Sequence, residues 1–420
     1  MMQNYNLSIA LQERPTDGEK LIQETIEGYT KQDKQALTYL LKLGLTDLLA
    51  QGKTLNLDVN EEFPRLIPII CTYFSREELV QLLGKKTTAS FFEMHRTEAL
   101  QNLFLEGELR NVLHAFNEAH IPLMLFKGPT LAYTVYPQPQ MRTYHDIDAL
   151  VHREDITRAH ELLLSMGYAF YEEFRGNALD KNRTGYNYTL KRPDSWLEVL
   201  IELHTAPHTG EIATVFDVEV MWQKAQPIMV LGERVVTMDP IDHLLYLCWH
   251  YRFHGFSRLI WLYDLVAMVR SFGKDFDWQR LVQAARHQRL ATTLYYCLSW
   301  CRTLFEVAVP EGVFRQLRPP LVTRLIVERL TLPDPHKALV SVDWQPRRIL
   351  AHRAMVDSTA ALLAVGLRAF FPEPAILGKR YMDRSHLPLQ LYFLFYLVHP
   401  WITLAKGFRY LLERRQERQK

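Results

Sequence analysis

A glycine-containing turn and a pair of aspartates constrain the fold of this chain more than any other feature. The segment Phe126-Lys127-Gly128-Pro129 is followed, eighteen residues after its glycine, by Asp146-Ile147-Asp148. The apolar run Ile121 to Phe126 predicts a short strand, and Gly128 stands where that strand would turn into a helix. A glycine lets the backbone approach a phosphate, the amides at the helix start would point at an anion, and Lys127 adds positive charge. The segment therefore predicts a phosphate-binding turn.

The pair of aspartates predicts a cation site. Residues His145 to Val151 alternate as in a strand, so Asp146 and Asp148 project from one face while Ile147 points into the core. Mg²⁺ takes oxygen ligands and needs only one or two carboxylates when substrate phosphates complete its shell. Mn²⁺ is the alternative ion. An isolated Asp-x-Asp is often only a solvated strand end or a helix cap, but here it follows a phosphate-binding turn.

Four sequence blocks in a fixed order extend this pattern. They are IPLMLFKGPTLAYTVYPQPQMRTYHDIDALV, REDITRAHELLLSMGY, IELHT and HLLYLCWHYRFHGFSRLIWLYDLVAMV. With these blocks, the stretch from Leu105 to Val269 resembles the nucleotidyltransferase superfamily, with its DNA polymerase beta-like fold, and within it a bacterial group of uncharacterised nucleotidyltransferases. The resemblance implies a small mixed sheet flanked by helices, with two carboxylates on one strand and a third acidic residue on a neighbouring strand.

The resemblance also implies roles for individual residues. Asp146, Asp148 and Glu202 are expected to bind metal and carry catalysis, in a two-metal arrangement that clamps the triphosphate and helps deprotonate the acceptor. Glu202 stands where the group more often carries aspartate, and His145 stands where related sequences commonly carry serine. His204 would share the strand face of Glu202 and orient a carboxylate or contact the nucleotide; the alternative is an ordinary core histidine.

Further polar residues are assigned by their position. Lys127, Gly128 and Arg142 are expected to hold the triphosphate, although Arg142 could instead form a surface salt bridge. The segment from Cys248 to Asp264 predicts a helix, a break and a second helix. Four of its residues would line a cleft for the acceptor or simply tie the two helices together: His250, His254, Arg258 and Asp264. The two histidines are also spaced for zinc, but no HExxH motif and no clustered third ligand accompanies them.

The chain is expected to have an α+β fold in three parts. Residues 1–103 are predicted to be helical, 104–238 to form the nucleotidyltransferase core, and 239–420 to form a large helical domain. The polar segment Glu172 to Asn187 is predicted to be a loop that either covers the triphosphate or is an ordinary exposed loop. The other predicted elements are helices at Ala36–Leu49, Glu77–Leu83, Glu108–His120 and Glu154–Ser165, and paired strands at Asn187–Leu190 and Trp196–Leu203.

Composition limits which binding partners and which cellular compartment are expected. The formal net charge is +2, which gives no global reason to expect a nucleic-acid partner. The four cysteines are scattered without a CxxC motif and predict reduced thiols. The first thirty residues lack the apolar core of a signal peptide, so a cytoplasmic location is expected.

The C-terminal segment raises the question of membrane contact. Leu387 to Ala405 contains nineteen residues without Asp, Glu, Lys or Arg and precedes a basic tail. A membrane-spanning helix needs about twenty predominantly apolar residues, and this run is interrupted by prolines at positions 388 and 400. We expect a core helix, or an amphipathic segment that rests on anionic lipid or on a partner.

These features predict a metal-dependent nucleotidyltransferase. It would transfer a nucleoside monophosphate, with ATP as the expected donor, to an unidentified small molecule, peptide or protein and release pyrophosphate. Two alternatives stay open: a toxin-type nucleotidyltransferase acting on tRNA or protein, and a non-catalytic descendant that binds a nucleotide or a partner. Asp148→Ala is expected to abolish transfer while the fold stays intact.

Overall fold

The computed structural model describes most of the chain in several stretches. These are residues 30–42, 64–170, 185–191, 198–207, 216–256, 258–331, 353–374, 377 and 394–417. The predicted loop at Glu172–Asn187 lies almost wholly outside them, as do the second half of the predicted helix at Ala36–Leu49 and the start of the apolar C-terminal segment.

Helices precede the first strand. Their bounds are 30–42 (α1), Ile67–Tyr73 (α2), Arg76–Leu83 (α3) and Lys85–Glu118 (α4), with a 3₁₀ turn at Pro64–Leu66 before α2. Ser75 and Glu78 begin α3 with a reciprocal capping box, in which each side chain accepts a backbone N–H of the other residue.

The long helix α4 differs from its prediction. It has 34 residues and begins at Lys85, so the predicted start at Glu108 is wrong. Buried residues such as Phe91 and Leu105 recur along its whole length, and packing of this apolar face stabilises the helix far beyond its last three turns. The helix runs unbroken through residues 103 and 104, where the boundary between the first two parts was expected; that boundary stays a prediction.

A mixed sheet of seven strands follows. The strands are Met124–Leu125 (β1), Asp146–Leu150 (β2), Ala169–Phe170 (β3), Gly185–Lys191 (β4), Glu198–His204 (β5), Gln226–Val230 (β6) and Glu233–Thr237 (β7). Their spatial order is β3-β4-β5-β2-β1-β7-β6. The pairs β1–β7 and β2–β5 are parallel, and the other neighbours are antiparallel. The predicted mixed sheet and the predicted β4–β5 pair are confirmed.

Short helices connect these strands. They are Gly128–Thr134 (α5), Ile156–Ser165 (α6) and Val218–Gln223 (α7), and 3₁₀ turns occupy Pro139–Met141 and Arg153–Asp155. Gly167, with φ of 90°, follows α6 and reverses the chain into β3, as its position predicts.

Each face of the sheet packs against a separate hydrophobic core. One core joins the sheet to α6 and the C-terminal half of α4, and Ile147 of β2 belongs to it. The other core joins the opposite face to the N-terminal helices and to the helices that follow the sheet, and Leu150 of β2 belongs to it. Because successive side chains alternate across a strand, Asp146 and Asp148 share the second face with Leu150. The aspartates therefore face the helical parts of the molecule.

The rest of the described chain is helical, as predicted. The α-helices are Pro240–Phe253 (α8), Leu259–Arg270 (α9), Trp278–His287 (α10), Ala291–Phe305 (α11), Glu311–Leu317 (α12), Leu321–Arg324 (α13), Thr359–Phe370 (α14) and Phe395–Glu417 (α15). A π-helical stretch at Leu325–Thr331 continues α13. Within the described residues, no helix combines the length and the apolar character needed to cross a membrane.

Candidate active site

The turn after β1 has the position that the sequence predicts, but its geometry depends on packing. α5 begins at Gly128. A Cβ atom built on Gly128 would lie 2.7 Å from Cβ of Tyr144, so no larger residue fits there without a shift of the backbone. Lys127 has φ of 58°, a conformation that is uncommon for residues other than glycine. This backbone turn aims the Lys127 side chain at β2.

Parallel pairing of β2 with β5 brings acidic side chains side by side. Asp148 is paired with Glu202, and Leu150 is paired with His204. One ligand atom each from Asp148, Glu202 and His204 lies within 4.8 Å of the others. Two carboxylate oxygens and an imidazole nitrogen at this spacing suit a divalent cation. This is the one group of His, Cys, Asp and Glu side chains with ligand spacing in the described part of the chain.

Lys127 supplies a positive charge to this group. Its Nζ donates to Oδ1 of Asp148 at 2.6 Å and lies 4.0 Å from Oε2 of Glu202. Burial acts to lower the pKa of Lys127, but the charge of Asp148, the hydrogen bond to it and the neighbouring Tyr246 and Asp146 together raise the pKa above the ordinary value. The ammonium group therefore stays charged, as a phosphate-binding role requires.

His204 lies between the two carboxylates. Its Nε2 is 3.5 Å from Oδ1 of Asp148 and 3.7 Å from Oε2 of Glu202, and neither ring nitrogen has a hydrogen-bond partner in the described chain. Burial acts to lower the pKa of His204, but the adjacent carboxylates raise it above its ordinary value. His204 in turn lowers the pKa of Glu202. Ring nitrogens that are shielded from solvent but have only these longer contacts indicate a site that is completed by a ligand.

Asp146 occupies the same face of β2 but lies outside this compact group. Burial, followed by the charge of Asp148, raises the pKa of Asp146. The sequence predicts a metal site made of Asp146, Asp148 and Glu202, whereas the structure brings Asp148 and Glu202 together with His204. The parallel register places residues 148 and 202 opposite each other, with Asp146 two residues before this pair on β2 and His204 two residues after it on β5. The positions of the side chains, and not the register alone, bring His204 into the group.

Arg142 and Asp264 form a buried ion pair. The guanidinium of Arg142 donates to both carboxylate oxygens of Asp264, at 2.7 and 2.9 Å, and also to the backbone carbonyl of Thr143. Tyr136 donates to the same carboxylate at 2.8 Å. Arg142 is 4% exposed and Asp264 is 1% exposed, so the pair is not the surface salt bridge considered for Arg142. It ties α9 to the segment that leads into β2, and the phosphate contact of Arg142 and the cleft position of Asp264 stay predictions.

Aromatic and histidine rings connect the site to the helical wall formed by α8 and α9. Phe126 packs edge-on against His204 and Tyr246, each at 5.4 Å, and Tyr246 stacks on His250 at 6.1 Å. His250 and His254 both pack against Trp261, and Arg258 lies over the same indole ring. Three of the four predicted cleft residues, His250, His254 and Arg258, are thus brought together.

The wall does not resemble a zinc site. The rings of His250 and His254 are 4.6 Å apart, but within the described residues no third ligand joins them. Burial, followed by the nearby positive charge of Lys127, lowers the pKa of His250, so its ring is neutral at pH 7.

Two residues from the part of the chain before the sheet lie near the site, although no sequence motif marks them. Burial, followed by the charges of Arg258 and Arg142, lowers the pKa of Arg65 to about 10, while Asp146 opposes the change. Glu98 of α4 lies 3.5 Å from Nε2 of His145. No local motif marks Arg65 or Glu98, because their proximity to β2 depends only on how the 3₁₀ turn and α4 pack against the sheet.

A mixed sheet thus carries paired carboxylates on adjacent parallel strands, next to a Lys-Gly turn. A model of the family described as uncharacterised nucleotidyltransferase matches residues 62–306. The match covers more than half of the chain, and the chain belongs to this family. The resemblance inferred from the sequence blocks is confirmed.

Solved structures with similar folds are distant. An antigenic nucleotidyltransferase-like protein from Paracoccidioides brasiliensis is 17% identical, with 50% of this chain and 96% of that chain covered and a TM-score of 0.32. ANT(2")-Ia, solved in complex with adenylyl-2"-tobramycin, is 14% identical, with 44% and 96% covered and a TM-score of 0.31. JHP933 from Helicobacter pylori is 13% identical, with 64% and 94% covered and a TM-score of 0.31. None of the curated protein sequences matches the chain.

Proposed function

We propose that this protein is an Mg²⁺-dependent nucleotidyltransferase that moves a nucleoside monophosphate from a triphosphate to an acceptor. Attack of the acceptor on the α-phosphorus forms the new phosphoester or phosphoramide bond, breaks the bond to the β-phosphate and releases pyrophosphate. The observation that supports the proposal most directly is the β2–β5 register, which places Asp148 beside Glu202 and His204 with Lys127 adjacent.

The proposed roles follow from the donor set. The carboxylates of Asp148 and Glu202 would hold a divalent cation, Mg²⁺ or Mn²⁺, with a further carboxylate from Asp146 on the same strand face. His204 would orient these carboxylates or contact the nucleotide, because Mg²⁺ takes oxygen ligands. Such a cation, when bound, neutralises charge on the phosphates during transfer. The buried ring nitrogens of His204, which have no hydrogen-bond partner in the described chain, support this assignment. Glu202 would either ligate the cation or accept the proton of the acceptor.

The positive residues around the carboxylates support a triphosphate donor, which we propose to be ATP. Lys127 lies against Asp148, and Arg65 is crowded by the charges of Arg258 and Arg142. Because Arg142 is already paired with Asp264, Arg65 and Arg258 would supply the further positive charge that attracts the phosphates. The wall of α8 and α9 faces the same group and would receive the acceptor, a small molecule, peptide or protein.

Thermal unfolding with nucleotides tests the proposal without knowledge of the acceptor. We expect ATP with Mg²⁺ to raise the unfolding temperature of the wild type, because a ligand at one hundred times its Kd adds about 2.7 kcal/mol of stability. Asp148→Asn, which keeps a hydrogen-bond acceptor for Lys127, is expected to lose this shift, and Arg65→Gln to reduce it. GTP, CTP and UTP are measured in parallel, each with and without Mg²⁺.

The matched control is Asp155→Asn. Asp155 is also a buried aspartate with a cationic partner, since Nη1 of Arg158 lies 2.6 Å from its Oδ1, but it precedes α6 on the other side of the sheet. This variant is expected to retain the full nucleotide shift. The proposal fails if no nucleotide shifts the wild type, or if Asp148→Asn and Asp155→Asn respond alike.

A further inference from the structure

The last helix of the chain has its apolar side turned to solvent. In α15, Leu397, Trp401, Leu404 and Phe408 are spaced by four, three and four residues and lie on one face. They are between 51% and 72% exposed. In a helix that packs onto its own protein, such a stripe would face inward. We call these four residues the apolar stripe of α15.

The polar side of α15 faces the protein instead. His399 is 1% exposed, and its Nε2 lies 3.0 Å from the backbone carbonyl of Ala369 in α14. Tyr396 donates to the backbone carbonyl of Pro372 at 2.6 Å. These contacts orient α15, so its outward apolar stripe is a consequence of how the helix is anchored. The predicted alternative of a core helix is wrong for this described part of the segment.

Helix α14 also exposes apolar side chains. Leu363 and Leu367 are 64% and 61% exposed, and Phe371, directly after the helix, is 56% exposed. These three positions are four residues apart and therefore share a face of the helix. None of the residues of α14 is buried. Monomeric soluble proteins rarely expose groups of large apolar side chains unless a partner or a membrane covers them.

Positive residues outnumber negative ones in the sequence from α14 onward, and among the residues whose side chains are described there Arg368, Lys406 and Arg409 are positive and Glu373 is negative. From Leu394 to the end, the chain carries Lys406, Arg409, Arg414, Arg415, Arg418 and Lys420 against Glu413 and Glu417. Arg368 is the single charged residue of α14. A second copy of the chain docking on this surface would bring two such basic groups together at an unfavourable energy. An anionic lipid surface would instead attract the basic residues and accept the apolar side chains.

We propose that α15, anchored by α14, is a peripheral membrane-binding element that inserts its apolar stripe into the interface of an anionic bilayer. Trp401 is the most exposed residue of the stripe, at 72%, and tryptophan prefers the boundary between headgroups and acyl chains. The surface is independent of the carboxylate group and would keep the protein at the membrane whatever its acceptor is.

Vesicle sedimentation with the full chain tests this proposal. The probes are vesicles of phosphatidylcholine alone and vesicles of phosphatidylcholine and phosphatidylglycerol in equal amounts. We expect binding to the anionic vesicles that weakens as salt is added. Leu397→Glu combined with Trp401→Glu is expected to weaken partitioning by about tenfold or more, because two apolar side chains are lost from the interface. Lys406→Glu with Arg409→Glu is expected to remove the preference for anionic vesicles.

The matched control is Leu103→Glu. Leu103 lies on α4 and is 66% exposed, against 67% for Leu397, so this variant adds one of the two negative charges of the stripe variant at an equally exposed leucine. It is expected to bind vesicles as the wild type does. Unchanged thermal unfolding of all variants, none of which alters a buried position, confirms that each is folded.

Three results would overturn the proposal. One is a wild type that sediments with neither kind of vesicle. Another is equal loss of binding in Leu103→Glu and in the stripe variant. The third is concentration-dependent dimerisation, measured by sedimentation velocity, that the stripe variant abolishes in the absence of any vesicle binding. That last result would assign the surface to a second copy of the chain.

Discussion

Gly128 is constrained by its contact with Tyr144 as well as by any phosphate. An added Cβ would lie 2.7 Å from the Tyr144 Cβ, an atom next to the backbone that cannot swing away. We expect Gly128→Ala to lower the free energy of unfolding by about 1–3 kcal/mol, the usual cost of overpacking, and to displace Lys127 from Asp148. Urea denaturation measures the stability change.

Gly107 provides the control for this substitution. It lies within α4, and nothing comes within 4 Å of a Cβ built on it. Because alanine is favoured over glycine in a helix interior, Gly107→Ala is expected to raise stability by about 1 kcal/mol. Equal effects of the two substitutions would show that the Tyr144 contact does not limit residue 128.

Asp148 also has a structural role that modifies the expectation for its alanine variant. It is 2% exposed and carries the short contact to Lys127. Removing one partner of a buried ion pair typically costs about 3–5 kcal/mol, because the other charge stays buried. We therefore expect Asp148→Ala to destabilise the fold. Asp148→Asn, which keeps a hydrogen-bond acceptor for Lys127, is the better test of the site.

At the scale of elements, the Arg142–Asp264 pair connects α9 to the segment before β2. We expect Arg142→Met to lower the free energy of unfolding by about 3–5 kcal/mol, because Asp264 would stay buried with only Tyr136 as a donor. The double variant Arg142→Met with Asp264→Leu is expected to recover part of this loss, since it leaves no unpaired charge. Chemical denaturation of the single and double variants gives the coupling free energy between Arg142 and Asp264.

An exposed pair serves as the comparison. Arg302 and Glu311 also lie at salt-bridge distance, 2.8 Å, but their side chains are 44% and 69% exposed. Glu311→Gln is expected to cost less than about 1 kcal/mol, because solvent already screens this pair. A similar cost for both pairs would contradict the structural role assigned to Arg142.

At the scale of the whole molecule, the N-terminal and C-terminal helices share one core. Asp33 of α1 is fully buried and accepts from Tyr263 and Arg270 of α9, at 2.5 and 2.7 Å. Leu37 and Leu40 of the same helix belong to the shared core. This packing explains how Arg65, which lies far from β2 in the sequence, comes to lie near the carboxylates.

Buried histidine makes the stability of the whole fold sensitive to acid. Burial lowers the pKa of His243 from 6.5 to about 4. Between these two pH values the unfolded chain binds a proton that the folded chain does not, so stability falls as the pH drops from 6.5 to 4. The contribution of this residue to the loss is roughly 3 kcal/mol.

The test is the difference in unfolding free energy between pH 7 and pH 4, from urea denaturation. His243→Gln is expected to show a smaller difference than the wild type, because glutamine does not titrate. His287→Gln replaces an exposed histidine of α10 and is expected to keep the wild-type difference. An unchanged pH dependence in His243→Gln would refute the assignment.

The sequence by itself determined the local architecture of this protein. The turn at Gly128, the alternating strand at Asp146–Leu150 and the β4–β5 pair could be predicted because strand alternation and turn chemistry are properties of neighbouring residues. The four sequence blocks also determined the family, because they contain local features of this kind in a fixed order along the chain.

The tertiary structure alone decided which side chains meet. Pairing of β2 with β5 placed Asp148 beside Glu202, and the side-chain positions brought His204, and not Asp146, within ligand spacing of them. Packing of distant helices buried Arg142 against Asp264 and turned the apolar stripe of α15 outward. Such contacts join residues that are far apart in the sequence, and their geometry depends on how whole elements pack. No local pattern encodes them, because each partner satisfies its own local preferences equally well in other arrangements.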